Sequence, residues 1–239
     1  MDLKRNSLVL NGSRVKDEAM RPASPPLVAS IRPRRSAASD VAARWLRLVA
    51  GLGVFAAGLA LMVRADLGLS SWDVLHDALR LISPLTFGEA VIGVSVVVVL
   101  ASLALGIKPG PGTVANVVLI GAFTDALLAT SLGAQVYSNE LVVRLAVLVG
   151  GVAAIAFGTA LYIGADLGAG PRDSLMLAVA RRGGISPGAG RAAIELSALA
   201  VGVALGGAAG IGTLVFAVSI GPAINLSFRS LGMNRGGWV

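Results

Sequence analysis

Ala65-Asp66-Leu67-Gly68 recurs one hundred residues later as Ala165-Asp166-Leu167-Gly168, each time just behind an apolar run. The same offset, without a gap, pairs Arg44 with Arg144, Gly51 with Gly151, Gly58 with Gly158, Asp73 with Asp173 and Gly88 with Gly188. It also pairs Leu105-Gly106 with Leu205-Gly206, Gly112-Thr113 with Gly212-Thr213, and Ile120-Gly121 with Ile220-Gly221. Apolar low-complexity sequence yields chance Leu and Ala matches, but not a polar-containing block with glycines held in one register. The chain is therefore read as a duplication.

The repeated material is membrane-like. Hydrophobic residues make up 55% of the chain and charged ones 14%, outside the range of ordinary soluble domains. Apolar runs cover Val41 to Val63, Gly88 to Ile107, Thr113 to Leu132, Leu141 to Ile163, Gly188 to Gly207 and Gly212 to Phe228. Each is long enough to cross a hydrocarbon core of about 30 Å as a helix. The expected fold is all-α: a polytopic bundle of six transmembrane helices, with one three-helix repeat at 44–132 and a second at 141–239. An odd number of spans per unit makes the second copy enter from the opposite side, so the repeat is inverted.

Basic residues crowd the start of the chain, where Lys4, Arg5, Arg14, Lys16, Arg21, Arg32, Arg34, Arg35 and Arg44 outnumber four acids. Residues 1–43, rich in Pro and Ser as well, are expected to form a disordered basic tail on the cytoplasmic side. A topology signal explains this charge more simply than a nucleic-acid arm, so no nucleic-acid partner is expected. No apolar run precedes the tail, and the first span is expected to direct insertion. That orientation leaves Asp66, Asp73 and Asp77 outside and Arg172, Arg181 and Arg182 inside, in agreement with positive-inside bias. The partner in every case is the lipid bilayer of the plasma (inner) membrane.

Two connecting segments, Arg64 to Phe87 and Gly164 to Pro187, are too polar to cross as complete helices, and each is expected to carry a short helix after the first and fourth spans. In the first, Ser70 and Ser71 offer N-cap oxygens. Trp72, Leu75, Leu79 and Ile82 fall on one face, with Asp73, His76, Asp77 and Arg80 on the other, so the helix is expected to be amphipathic with His76 solvated. In the second, Pro171 suits a helix start, and Leu175, Met176, Leu177 and Val179 suggest the more deeply buried copy.

Gly58, Ala65 to Gly68, Ser71-Trp72-Asp73, Gly88 and Gly112-Thr113 resemble, in order and spacing, the YczE/YitT-like family of bacterial membrane proteins. The resemblance runs from about Arg44 to the C-terminus. Ser71 departs from the Pro common in that family, and Arg172 stands in the second copy where Trp72 stands in the first. Membership implies a multi-pass plasma-membrane protein and supplies no substrate or catalytic residue.

Candidate site residues come from polar positions that the repeat preserves. Asp125 lies about a dozen residues into a span beginning near Thr113, which at about 1.5 Å per residue is close to mid-bilayer, and Asn225 is its counterpart. A carboxylate at that depth costs several kcal/mol unless paired, protonated or wet. One reading places a substrate or proton site on the repeat axis; the other is an interhelical hydrogen bond, or a shorter span that brings Asp125 to the surface. Asp66 and Asp166, each followed two residues later by glycine, fit either a helix cap and turn or a helix break lining a cavity. Asp73 and Asp173 have the same ambiguity, because the helix dipole favours an acid in the first turn regardless of function. Thr113 and Thr213 open spans behind Gly-x-Gly turns that lack the lysine of a phosphate loop.

Bland pairings account for other charges: Arg144 is expected to meet Glu140, and Arg191 to meet Glu195 one turn on. Gly202 and Gly206 form a small-xxx-small pair for close helix approach, within the protomer or in a homodimer. Cysteine is absent and histidine occurs once, which removes thiolate chemistry and leaves no metal, cofactor or Ser-His-Asp arrangement. The expected function is a small-molecule transporter or permease, not an enzyme, with an unidentified substrate bound between inverted repeats. The competing expectation is a non-transporting scaffold or regulatory accessory protein.

Overall fold

The computed structural model describes residues 40–131 and 140–233. Most of the basic tail lies outside the described residues. Among those described, the chain is all-helical: α1 (Asp40–Ala65), α2 (Ser71–Ile82), α3 (Phe87–Ala104), α4 (Pro111–Leu128), α5 (Leu141–Gly164), α6 (Pro171–Gly183), α7 (Pro187–Ala204) and α8 (Ile211–Ser230). The starts follow local chemistry. Ser70 caps α2 and Ser186 caps α7, Thr86 and Glu89 form a reciprocal capping box on α3, and Pro opens α4, α6 and α7, where its missing N–H costs nothing.

Five helices, α1, α3, α4, α5 and α8, are long and apolar enough to cross a membrane. The fifth expected span coincides with α7, a helix of 18 residues, but Arg191, Glu195 and its many Gly and Ala residues hold it below the hydropathy of the other five. Leu46, Val97, Val142, Leu214 and Val218 point outward, as a lipid-facing surface requires.

The centre is an α1–α5 pair. Glycines allow the two backbones to touch: a Cβ on Gly58 would lie 2.6 Å from the Gly151 carbonyl, and one on Gly158 would lie 2.6 Å from the Gly51 carbonyl. Small residues admit this close approach, the means by which helices associate where burial from water gives no drive. The two helices run antiparallel, because Arg44 at the start of α1 meets the end of α5 and Arg144 at the start of α5 meets the end of α1. Arg44 Nε donates to the Ala165 carbonyl at 2.8 Å and Arg144 Nε to the Ala65 carbonyl at 2.9 Å. Each guanidinium also pairs with an acid, Arg44 with Asp166 and Arg144 with Asp66, at 3.3 Å. Arg144 thus reaches the other copy's turn rather than Glu140, since the carbonyls at a helix end offer a cation several acceptors at once.

Around this pair the contacts are reciprocal. α4 packs on α1 and α8 on α5; α2 packs on α7 and α6 on α3. Gly112 N–H donates to the Leu167 carbonyl at 2.8 Å, and Gly212 N–H to the Leu67 carbonyl at 2.7 Å. The Thr113 and Thr213 hydroxyls accept from Gly110 and Gly210 N–H at 3.1 Å, so both threonines reach back from the third helical position rather than capping from outside. Gly202 and Gly207 meet α2 at Leu75 and Val74, while Gly206 has open space around its Cβ position. The close approach therefore uses a different glycine spacing from the one expected.

Reciprocity fails at one seam. α3 packs along α4, whereas α7 stands off from α8.

Candidate functional site

α2 and α6 turn their first residues toward each other inside the bundle, and a cavity lies there, reached by Trp72, Asn116, Tyr162, Arg172, Asp173 and Asn225 among others. Short turns, of five residues after α1 and six after α5, make this inward approach possible. Asp66 and Asp166 adopt left-handed φ of 48° and 54°, followed by Gly68 and Gly168 at 113° and 130°; Asp tolerates the first and Gly supplies the second. The turns reverse the chain at the ends of α1 and α5 and send the next helix back between its neighbours. Both acids sit half-exposed in ion pairs with Arg144 and Arg44 and do not line the cavity.

α2 is oriented the opposite way from the amphipathic reading. Asp73, His76 and Asp77 are buried, His76 completely, and Leu81 and Ile82 are exposed. The polar face turns into protein because partners wait there, while on the apolar face Ile82 is exposed, Leu75 and Leu79 are half-buried and Trp72 stays buried. α2 is also the more deeply buried of the two short helices, with seven buried residues against five in α6.

Asp73 is saturated. It accepts from the Ser70 hydroxyl, sits 3.1 Å from His76 Nδ1, and pairs with Arg172 at 3.4 Å. Burial alone would raise its pKa, but His76, Arg172 and Ser70 outweigh that and hold it below the usual carboxylate range. Burial depresses His76, so its ring is neutral near pH 7. The Arg172 guanidinium lies 5.4 Å from the centroid of the Trp72 ring, within cation–π range. Trp72 and Arg172, equivalent positions that differ between the two copies, thus meet.

Asp173 is different. The Tyr162 hydroxyl donates to it at 3.3 Å, and among the described residues no cation comes within salt-bridge distance. Burial pushes its carboxyl above the ordinary range, with Arg191, Tyr162 and Arg172 opposing only in part. Asp173 Oδ2, Tyr162 Oη and Asn116 Nδ2 converge on Gly170, where a Cβ would lie 3.2, 3.2 and 3.7 Å from them. Arg191 and Glu195 pair at 3.0 Å on the cavity wall, as their spacing indicated.

Asp125 does not reach the cavity. α4 ends at Leu128, so Asp125 sits in its last turn rather than mid-span, and its carboxylate ties α4 to the start of α3. The Thr86 hydroxyl donates to it, as does Gly88 N–H at 2.7 Å. Its counterpart Asn225 does line the cavity. Of the residues singled out from sequence, Asp173 and Asn225 face the cavity, Asp73 stands behind Arg172, and Asp66, Asp166, Thr113 and Thr213 build the turns. Sequence reasoning passed over Arg172, Tyr162 and Asn116. The signal for Arg172 was present as a departure: Trp72 and Arg172 differ immediately before the matched Asp73 and Asp173.

Fold and site together define a helical membrane protein with a largely apolar cavity into which a few polar and charged side chains reach. The chain belongs to a family of unknown function, DUF6198, whose model matches residues 42–229. It is 33% identical over 190 residues to the uncharacterized membrane protein YczE of Bacillus subtilis, covering 79% of this chain and 86% of that one. It is also 33% identical over 180 residues to an uncharacterized protein of Haemophilus influenzae, covering 74% of this chain and 79% of that one. No solved structure matches.

Proposed function

We propose that the protein is a small-molecule permease of the plasma membrane, with six spans in a 3+3 inverted repeat, its N-terminus in the cytoplasm, and a substrate site between the repeats. The observation that carries this reading is the unequal pair of seams around one cavity. At one end of the bundle α3 and α4 are closed by Gly88 and Asp125, with no room for a Cβ on Gly88. At the other end α7 and α8 stand apart, and a Cβ on Gly188 would meet nothing within 4 Å. A cavity between inverted repeats, shut at one seam and open at the other, supports alternating access, in which exchanging the two seam conformations exposes the same site to the other side. In this reading α7 is the sixth span, its Arg191–Glu195 pair facing the cavity rather than lipid.

Reconstituted protein is expected to move solute across a vesicle membrane, and a bulky residue in the cavity, Ser95→Trp, is expected to stop it with the fold intact. Unchanged flux in Ser95→Trp, or none from the wild type across cationic, neutral and anionic solutes, overturns the permease reading. The orientation has its own test: single cysteines at Ser138 and Ser186 in this cysteine-free chain should be labelled from outside at 138 alone.

A further inference from the structure

The two short helices hold equivalent acids whose surroundings were exchanged part by part. Asp73 is satisfied by Ser70, His76 and Arg172. One hundred residues along, or back for the last, the equivalent positions are Gly170, Met176 and Trp72. A hydroxyl has become empty space, an imidazole a thioether, and a guanidinium an aromatic ring. Asp73 thus has a cation tethered to it by the protein, and Asp173 has lost all three counterparts while facing the cavity.

The charge of the cavity points the same way. Arg172 is engaged by Asp73 and the Trp72 face, and Arg191 by Glu195 at 3.0 Å. The groups facing Asp173 are Tyr162 from α5, Asn116 from α4, Arg172 from α6 and the Arg191–Glu195 pair from α7, with Asp73 and neutral His76 of α2 behind Arg172. With its three carboxylates ionised and its two guanidinium groups charged, this set carries one unbalanced negative charge, at Asp173. Phe55, Tyr162, Phe216 and Phe228 supply aromatic wall around it, with Phe55 and Tyr162 edge-on at 6.4 Å. A carboxylate beside aromatic surface is the chemistry that recognises an ammonium with an apolar body.

We infer that Asp173 binds a small organic cation, of the amine or quaternary ammonium class, in place of a proton. The inference rests on the permease reading for its transport consequence: one monovalent cation entering the site displaces one proton, so each half-cycle returns one or the other and the exchange is electroneutral.

The test uses full-length protein purified in detergent, with tetraethylammonium, choline and benzylamine as cation probes and benzenesulfonate as the anion control. At least one cation is expected to bind, with an apparent Kd that tightens about tenfold per pH unit while Asp173 is protonated, and with release of up to one proton per chain in weak buffer. Benzenesulfonate is expected not to bind. Asp173→Asn is expected to abolish the proton release and the pH dependence at unchanged helical content. Asp173→Glu is expected to keep both at a shifted midpoint, and serves alone if Asp173→Asn does not fold. Binding of no cation, binding independent of pH, proton release that survives in Asp173→Asn, or a Glu variant with an unshifted midpoint overturns the inference. Proteoliposomes separate it from the permease reading. Proton-linked cation binding without flux overturns the permease and leaves the site standing, and flux of neutral or anionic solutes without cation binding does the reverse.

Discussion

The α3–α4 seam and the α7–α8 seam come from two copies of one sequence, and only the first is closed. Thr86, Gly88, Gly121 and Asp125 meet in it: the glycines let the helices touch, and the acid collects a hydroxyl and a backbone N–H from the start of α3. The second seam has Ser186, Gly188, Gly221 and Asn225 at the same places, a set with the same absence of Cβ bulk but with an amide, one acceptor oxygen and an NH2, in place of the carboxylate that accepts through both oxygens. Thr86 and Ser186 both cap their own helices, but Asn225 faces the cavity. The two seams share their glycines yet differ in conformation, and their sequences part at Asp125 against Asn225 and at Pro222, which follows Gly221 inside α8 where Ala122 follows Gly121 in α4.

The sharpest way to break this comparison is steric. Gly88→Val is expected to prevent seam closure or folding, with a loss of about 3 kcal/mol or more, because the side chain lands on the Gly121 carbonyl in a packed interface. Gly188→Val should change unfolding in detergent by less than about 0.5 kcal/mol, as a surface substitution does. Equal losses in the two variants would mean that the second seam is normally closed.

Next comes the acid. Asp125→Ala removes the acceptor for Thr86 and Gly88 and is expected to cost about 1–2 kcal/mol, whereas Asn225→Ala should affect stability little and act on solute flux. Thermal unfolding of both variants in detergent decides it. A cysteine replacing Asn225, which lines the cavity, should be alkylated faster than one replacing the fully buried Thr124 of the closed seam.

A third pair sharpens the comparison by showing no difference. Arg44 and Arg144 make the same bonds to opposite helix ends, so Arg44→Ala and Arg144→Ala are expected to lose similar amounts, about 1 kcal/mol each after allowance for solvent exposure. Unequal losses would show that the asymmetry extends into the α1–α5 pair.

The smallest effect concerns acid. His76 and Asp73 both have folded pKa values below their ordinary ones, so the unfolded chain takes up protons first. The His76 contribution is present above the ordinary histidine value and is lost as pH falls below it, and that of Asp73 is lost only below the ordinary carboxylate value. The His76 share of the unfolding temperature should therefore decline from pH 7 toward pH 5, against the opposite trend from Asp173, whose carboxyl is raised, so the difference between wild type and His76→Gln is expected to shrink as pH falls.

Much of this architecture was legible before any coordinates. The register of one hundred residues located the short helices behind α1 and α5 and the Asp-Gly turns, and four-residue helical spacing gave the Arg191–Glu195 pair, because turn chemistry and helical spacing are local properties. The burial of α2 was not legible. Periodicity separates two faces of a helix but does not say which faces protein, and in lipid the polar face goes inward to find partners. For Asp125 the shorter-span alternative fits the structure and the mid-bilayer one does not: its depth depended on where α4 ends, and helix ends are the least local feature of an apolar run. The importance of Arg172 was hidden because its partners, Trp72 and Asp73, lie about a hundred residues away.

By itself the sequence determined that this is a helical membrane protein with a duplicated core, since hydropathy and repetition are written in residue order. Only the tertiary structure decided that Asp73 is filled and Asp173 is left facing a cavity, and that one seam is shut while its twin is open. Those facts depend on which side chains of one copy meet which of the other, and that pairing exists only once α1 and α5 have brought the halves together.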